Sequence, residues 1–271
     1  MPAPLERLSL NQMTVNQWNV REAVEACVRH EVSQIGLWRH KIAESGVAEA
    51  ARMVRENGIR VSSLCRGGMF PAATRAERQE RIDDNKRAID EARELGTATL
   101  VLVCGPAPDR DMDAARRMVR EGIAAVVDHA AASDVQLGIE PLHPMFAGDR
   151  SVIASLRESI DLAEQFDAKH VGVVIDVYHV WWDADLYTQI LRARGRILGF
   201  HVNDWIVPPP DHLKGRGMMG DGVIEIQRMR HAVDAAGYRG PIEVEIFNQA
   251  LWDSPGDDVM KQMTDRYLAH V

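Results

Sequence analysis

The sequence predicts an α/β protein: a closed (β/α)8 barrel of parallel strands with outer helices, built as a single domain over residues 1–271. Three observations lead there. Eight short apolar runs alternate with longer amphipathic stretches, glycines stand where helices must close before several strands, and 271 residues suit eight strand-helix units in one body. With 46% hydrophobic and 27% charged residues, the chain can bury the core that such a barrel needs.

In chain order the strand candidates are LSLNQM (8–13), QIGLW (34–38), IRVSSLC (59–65), ATLVLVCG (98–105), VQLGIEPL (135–142), VGVVIDVY (171–178), ILGFHVND (197–204) and PIEVEIF (241–247). Between them lie helical patterns. The clearest follows Asp113, where Val119, Ile123, Val126, Val127 and Ala130 recur at the 3.6-residue period while Arg116, Arg117, Arg120 and Glu121 take the opposite face. Gly58, Gly96 and Gly237 each stand where a helix closes through a left-handed residue, with a strand directly after. Strands separated by helices run parallel. One long insertion, IVPPPDHLKGRGMMGDG (206–222), is expected to lack regular structure because of its prolines and glycines. After a seventh strand it would lie over the active face of the barrel.

The formal net charge is -8, and no dense Lys/Arg cluster offsets it, so nucleic acid is not an expected partner. Cys27, Cys65 and Cys104 are odd in number and far apart, which suits reduced thiols in a cytosol. The N-terminal MPAPLERLSL lacks the apolar core of a signal peptide, and the apolar run TLVLVC is too short to span a bilayer. The expectation is a soluble cytoplasmic protein that takes a small molecule, without membrane or nucleic acid, as a homodimer or homotetramer.

Four strand candidates end in residues that a packed barrel does not favour: Glu140 in LGIEPLHP, Asp176 in VVIDVYH, His201 in GFHVND and Glu245 in IEVEIFN. Successive gaps of 36, 25 and 44 residues each fit one strand-helix unit, so the four belong to strands five to eight and converge on the barrel axis. Singly, each acid also reads as a helix cap or an ion-pair partner. Together, three carboxylates would repel one another unless a positive charge sat among them, and a divalent cation is the simplest candidate. An oxygen-rich set with one imidazole suits Mn²⁺, Mg²⁺ or Co²⁺ more than a structural zinc site, which would use thiolates, and spacing alone does not choose among those metals. Glu243 shares the face of Glu245, but only Glu245 lies at the functional end of the strand.

Further candidates surround these. His143 and His179 each follow an acid by three residues, placed to donate to a substrate oxygen or to support a ligand. Trp181 and Trp182 offer an apolar wall for a sugar ring or pack beneath the following helix. Arg216 and Lys214 lie in the long insertion, where a cation grips a hydroxyl, carboxylate or phosphate, or simply meets solvent. Asp204 is placed to orient His201 or bind substrate, Asp221 to stabilise a turn, and Asn11, Trp38, His40 and Arg66 to complete the wall.

The segments IEPLHP, VIDVYHVWWD, FHVNDW, RGMMGDGVI and IEVEIF resemble the xylose isomerase-like TIM barrels, in the branch of sugar phosphate isomerases and epimerases. The resemblance is specific over strands five to eight and general over the first half. It implies one divalent metal, often manganese, held by Glu140, Asp176, His201 and Glu245. By similarity to the ketose 3-epimerases, Glu140 and Glu245 also move the proton, while His179 and Arg216 contact substrate. Two departures stand out: the segment before Arg216 is longer here, and PLHPMF replaces a region where those epimerases carry a further acid.

The expected chemistry is metal-assisted proton abstraction next to a carbonyl, through an enediolate, in an isomerase or epimerase of a sugar or related polyol or keto substrate. A dehydratase of the inosose or dehydroshikimate type is the alternative. An endonuclease IV-like nuclease fits neither the -8 charge nor the ligand set, and a non-catalytic barrel would lack a ligand.

Overall fold

Ten strands follow one another: β1 (Leu8–Asn11), β2 (Gln34–Trp38), β3 (Arg60–Gly68), β4 (Thr99–Val103), β5 (Gln136–Glu140), β6 (Val171–Asp176), β7 (Ile197–Val202), β8 (Asp204–Trp205), β9 (Arg216–Gly217) and β10 (Ile242–Val244). Eight of them close a parallel barrel in the order β1-β10-β7-β6-β5-β4-β3-β2. The computed structural model describes residues 4–271. Met1, Pro2 and Ala3, the start of the stretch in which no leader is expected, lie outside the described residues.

The strand pattern explains the two sides of the barrel wall. Side chains alternate along each strand, so Leu100, Leu102, Leu137, Ile139, Val173 and Ile175 join the large core between sheet and helices, while Cys65, Val101 and Val174 form a separate inner cluster. Burying each large apolar side chain of this kind stabilises the fold by about 1.5–3 kcal/mol. Gly36 in β2 also serves the interior: a Cβ there would lie 2.1 Å from Oε1 of Glu243, so only glycine leaves room for that carboxylate.

The helices are α1 (Val20–Arg29), α2 (Arg39–Ser45), α3 (Val47–Glu56), α4 (Arg75–Leu95), α5 (Met112–Ala132), α6 (Leu156–Ala163), α7 (Val177–Val180), α8 (Leu186–Arg192), α9 (Ile226–Ala235), α10 (Gln249–Trp252) and α11 (Gly256–His270). Asn19 with Glu22 and Thr74 with Glu77 form capping boxes that start α1 and α4. In α5 the expected apolar face is the buried one, with Val119, Ile123, Val126 and Ala130 fully enclosed. Gly58, Gly96 and Gly237 have φ of 68°, 76° and 96°, the left-handed closures that their positions predict. No helix among the described residues is long and apolar enough to cross a membrane.

The insertion at 206–222 departs from expectation. Instead of lacking regular structure, it returns as β9 and pairs antiparallel with β8, Asp204 opposite Gly217 and Trp205 opposite Arg216. The prolines at 208–210 fall between the two strands, so they do not remove the donors that the ladder needs. Asp204 fixes the far side of the insertion: its carboxylate accepts the N–H groups of Gly220, Gly222 and Ile224 at 2.9–3.0 Å. It therefore shapes the loop, with these bonds in place of the suggested contact to His201.

Candidate metal centre

Four strand ends meet at the C-terminal mouth of the barrel. Glu140 ends β5, Asp176 ends β6, His201 is the penultimate residue of β7, and Glu245 follows β10 by one residue. Asp176 pairs in register with His201, and His201 with Glu243, which carries Glu245 two residues further toward the mouth. One ligand atom from each of Glu140, Asp176, His201 and Glu245 lies within 4.8 Å of the other three. All four residues are buried, at most 5% exposed.

A second layer aims this set. Nδ2 of Asn11 donates to Glu243 Oε1 at 2.6 Å and to Glu245 Oε1 at 3.0 Å, while Oδ1 of Asn11 accepts from Trp38 Nε1 at 2.8 Å. Ser62 and Ser63 hydroxyls donate to Glu243 at 2.8 and 3.0 Å. Glu243, thus held, lies 3.8 Å from Nε2 of His201. The ring's other nitrogen, Nδ1, then faces Glu140 Oε1 at 3.4 Å and Glu245 Oε2 at 3.7 Å. A carboxylate behind a histidine is the usual way to fix which nitrogen a metal meets. Asn203 does the same for Asp176, donating to its Oδ1 at 2.9 Å and to the Glu245 carbonyl at 3.1 Å.

The donor set fits a divalent ion on two counts. Glu140 Oε1 and His201 Nδ1 are buried without a hydrogen-bond partner, a state that costs about 1–3 kcal/mol for each such group unless something else satisfies it. The second count is charge. Arg216 is buried with Nη1 donating to Asp176 Oδ2 at 2.7 Å and to Glu245 Oε2 at 3.0 Å. Arg216 is one cation against the carboxylates of Asp176 and Glu245, with Glu140 and Glu243 also in the cluster, so acids outnumber the arginine there. The sequence alone assigns the whole neutralisation to a metal; in the structure Arg216 supplies part of it. The guanidinium is packed between the rings of Tyr178 and Phe247, 4.6 and 4.9 Å from their centroids, so it is a fixed part of the site.

The electrostatics follow the packing. Burial pushes the Glu140 carboxyl up to about 7, with the charges of Glu245 and Asp176 adding to the effect and the nearby His201 ring opposing it. For Asp176 burial acts in the same upward direction, but Arg216, His179 and His201 outweigh it and hold the carboxyl well below its usual range. His201 is also buried, which opposes its charge, yet Glu243, Glu140 and Glu245 keep it well above an ordinary imidazole.

His179 stands beside the cluster on α7. Its Nδ1 lies 3.2 Å from the His143 N–H, while Nε2 faces the Arg216 guanidinium, so each ring nitrogen meets a donor. Burial lowers its pKa to about 3, so the ring is neutral at ordinary pH. Nε2 lies 3.3 Å from Arg216 Nη2 and 3.7 Å from Asp176 Oδ2. A cavity of about 590 Å³ opens above, and its lining includes Glu140, His179, Arg216 and Glu245 together with Trp38, His40, Arg66 and Phe247.

His143 and Trp182, expected at the substrate, lie behind His179 and outside that lining. The His143 ring stacks on Trp205 at 5.2 Å, and Trp182 Nε1 donates to the His179 carbonyl at 2.8 Å. Trp181 packs against the core, and Lys214 lies over the Trp252 ring.

A family model described as xylose isomerase-like TIM barrel matches residues 22–267. The chain belongs to this family. Among curated relatives, L-ribulose-5-phosphate 3-epimerase UlaE of Escherichia coli O1:K1 is 24% identical over 212 residues, which cover 76% of this chain and 71% of that protein. Among solved structures, protein SMc04130 from Sinorhizobium meliloti 1021 matches with a TM-score of 0.95 and 49% identity, covering 97% of this chain and 98% of that one. The IolI protein, whose crystal structure contains a zinc atom, shares the fold with a TM-score of 0.85 at 16% identity, covering 97% of each chain. The curated relatives are named as sugar-phosphate epimerases, and the solved neighbours share the barrel.

Proposed function

We propose that the protein is a divalent-metal-dependent isomerase or epimerase of a sugar or closely related keto substrate, with Glu140 and Glu245 as its proton-transfer groups. The observation that carries the reading is the set of four ligand atoms within 4.8 Å, two of whose residues, Glu140 and His201, keep a buried atom without a partner. Glu140, Asp176, His201 and Glu245 would hold the ion. When bound, the ion would supply positive charge beside a substrate carbonyl and so lower the cost of removing a neighbouring proton. Mn²⁺ suits this oxygen-rich set best, and the same donors also accept Mg²⁺, Co²⁺ or Zn²⁺.

The chain's own residues account for the rest. Glu140 and Glu245 lie three strands apart around the eight-strand ring, so they approach a substrate from different sides. One carboxylate takes a C–H proton and the other returns one, which suits epimerisation; return by the same group to the adjacent carbon gives isomerisation. Arg216 on Oε2 and Asn11 on Oε1 together fix the orientation of the Glu245 carboxylate. His179 lines the same cavity, where its ring would contact a substrate hydroxyl. The curated relatives, which epimerise a ketose phosphate at C3, support this reading.

The test is deuterium incorporation from D₂O, followed by NMR, with the Mn²⁺-loaded protein and a panel of ketoses, inososes and keto acids. Exchange at the carbon next to the carbonyl is expected, and loss of water after exchange would indicate the dehydratase outcome. No exchange across the panel despite tight metal uptake would overturn the proposal.

A further inference from the structure

The wall of the pocket away from the metal cluster carries Arg39, Arg66, Arg81 and Arg150 against only two acids, Asp84 and Asp149. In a chain of net charge -8, that local excess of cation calls for a reason. Two of these arginines differ sharply. Arg39 is fully engaged: it donates four hydrogen bonds of 2.6–3.1 Å to Asp84 and Glu91, and Asp84 also receives Arg87. Arg66, half-buried in the same wall, makes no hydrogen bond and no ion pair with any described residue.

Arg66 is also deliberately placed. The β3–β4 register shifts between Cys65 and Gly67, so Arg66 is the extra residue of a bulge, a device that re-aims a side chain next to a site. Arg150 faces the same cavity, with its Nε buried and without a hydrogen-bond partner and its guanidinium 5.6 Å from the Phe146 centroid. Its nearest acid, Asp149, is exposed and 3.7 Å away. Arg66 and Arg150 line the same cavity, and burial, then the charge of Arg150, lowers the pKa of Arg66. Glu140 and Glu245 line the same cavity as this wall.

We infer that Arg66 and Arg150 form a binding site for an oxyanion carried by the substrate, a phosphate or a carboxylate, while the rest of the same molecule reaches the Glu140–Glu245 cluster. This rests on the proposed proton-transfer reading for the position of the reacting carbon. The cavity of about 590 Å³ is large enough to take a small sugar derivative and its anionic group together. A guanidinium without an internal acceptor offers the paired donors that both anions accept.

The experiment compares a neutral ketose, its terminal phosphate ester and its terminal carboxylate in the Mn²⁺-loaded wild type and in Arg66→Gln, Arg66→Lys and Arg150→Gln. Expected is a preference of the wild type for one anionic member, which identifies the anion. Arg66→Gln should lower kcat/KM for that member by about 10- to 100-fold, mainly through KM, with the neutral ketose changed less than about threefold and Arg66→Lys intermediate. In parallel, inorganic phosphate and acetate are titrated calorimetrically into the same metal-loaded proteins, where binding should weaken in Arg66→Gln and partly return in Arg66→Lys. Equal losses for neutral and anionic substrates, or anion binding indifferent to Arg66, would overturn the inference while leaving the proton chemistry standing. Arg66-dependent anion binding without exchange on any substrate would do the reverse.

Discussion

The two halves of the barrel contribute different things to one site. β5, β6, β7 and the segment after β10 present the charged groups themselves, Glu140, Asp176, His201 and Glu245. β1 to β3 present mostly neutral groups, Asn11, Trp38, Ser62 and Ser63, which hold Glu243 and Glu245 in orientation. The difference separates the groups proposed to meet the reaction from groups that act through another residue. Substitution in one half should therefore remove chemistry, and substitution in the other should loosen it.

The largest effect is expected from Glu140→Gln and Glu245→Gln, each lowering the rate of deuterium exchange by about 10³-fold or more while the fold persists, as checked by NMR and circular dichroism. Comparable losses from Ser62→Ala would erase the contrast between the halves. Chelation by EDTA should likewise abolish exchange in the wild type and Mn²⁺ should restore it; activity that survives exhaustive chelation would break the metal assignment. Asn11→Ala removes the shared donor to Glu243 and Glu245, and Mn²⁺ titration should show affinity lower by about 10- to 100-fold, with full occupancy still reached at high metal.

Smaller effects sharpen the same comparison. Gly36→Ala forces a methyl group into the space of the Glu243 carboxylate, and denaturant unfolding should show a loss of about 1–3 kcal/mol. Arg52→Ala, on the exposed pairs to Glu49 and Glu56, should leave both the denaturant midpoint and the exchange rate essentially unchanged.

What the sequence reveals follows the same division. Strand alternation and helix-closing glycines display the barrel because both are local signals, and the four ligands show because acids and an imidazole end apolar strands. The roles of Asn11, Ser62 and Ser63 leave no local trace: Asn11 reaches Glu245 across 234 residues, and a serine or asparagine in a strand looks the same whatever it meets. Asn203 was within reach, since it follows His201 by two residues and so shares its side of the chain. Arg216 shows the limit from the other direction. Its loop context suggests solvent, but the β8–β9 pairing and the rings of Tyr178 and Phe247 enclose it. The same pairing corrects the expectation of a shapeless insertion, because a two-residue ladder is too short to be seen in composition.

The most direct test of the central claim is anomalous diffraction from crystals of the protein loaded with Mn²⁺. One peak is expected per chain, within coordination distance of Glu140, Asp176, His201 and Glu245, with Arg216 still bound to a carboxylate at its edge. A peak at other residues, or a fully ordered cluster that takes up no metal and is neutralised by Arg216 and a protonated His201 alone, would contradict the account.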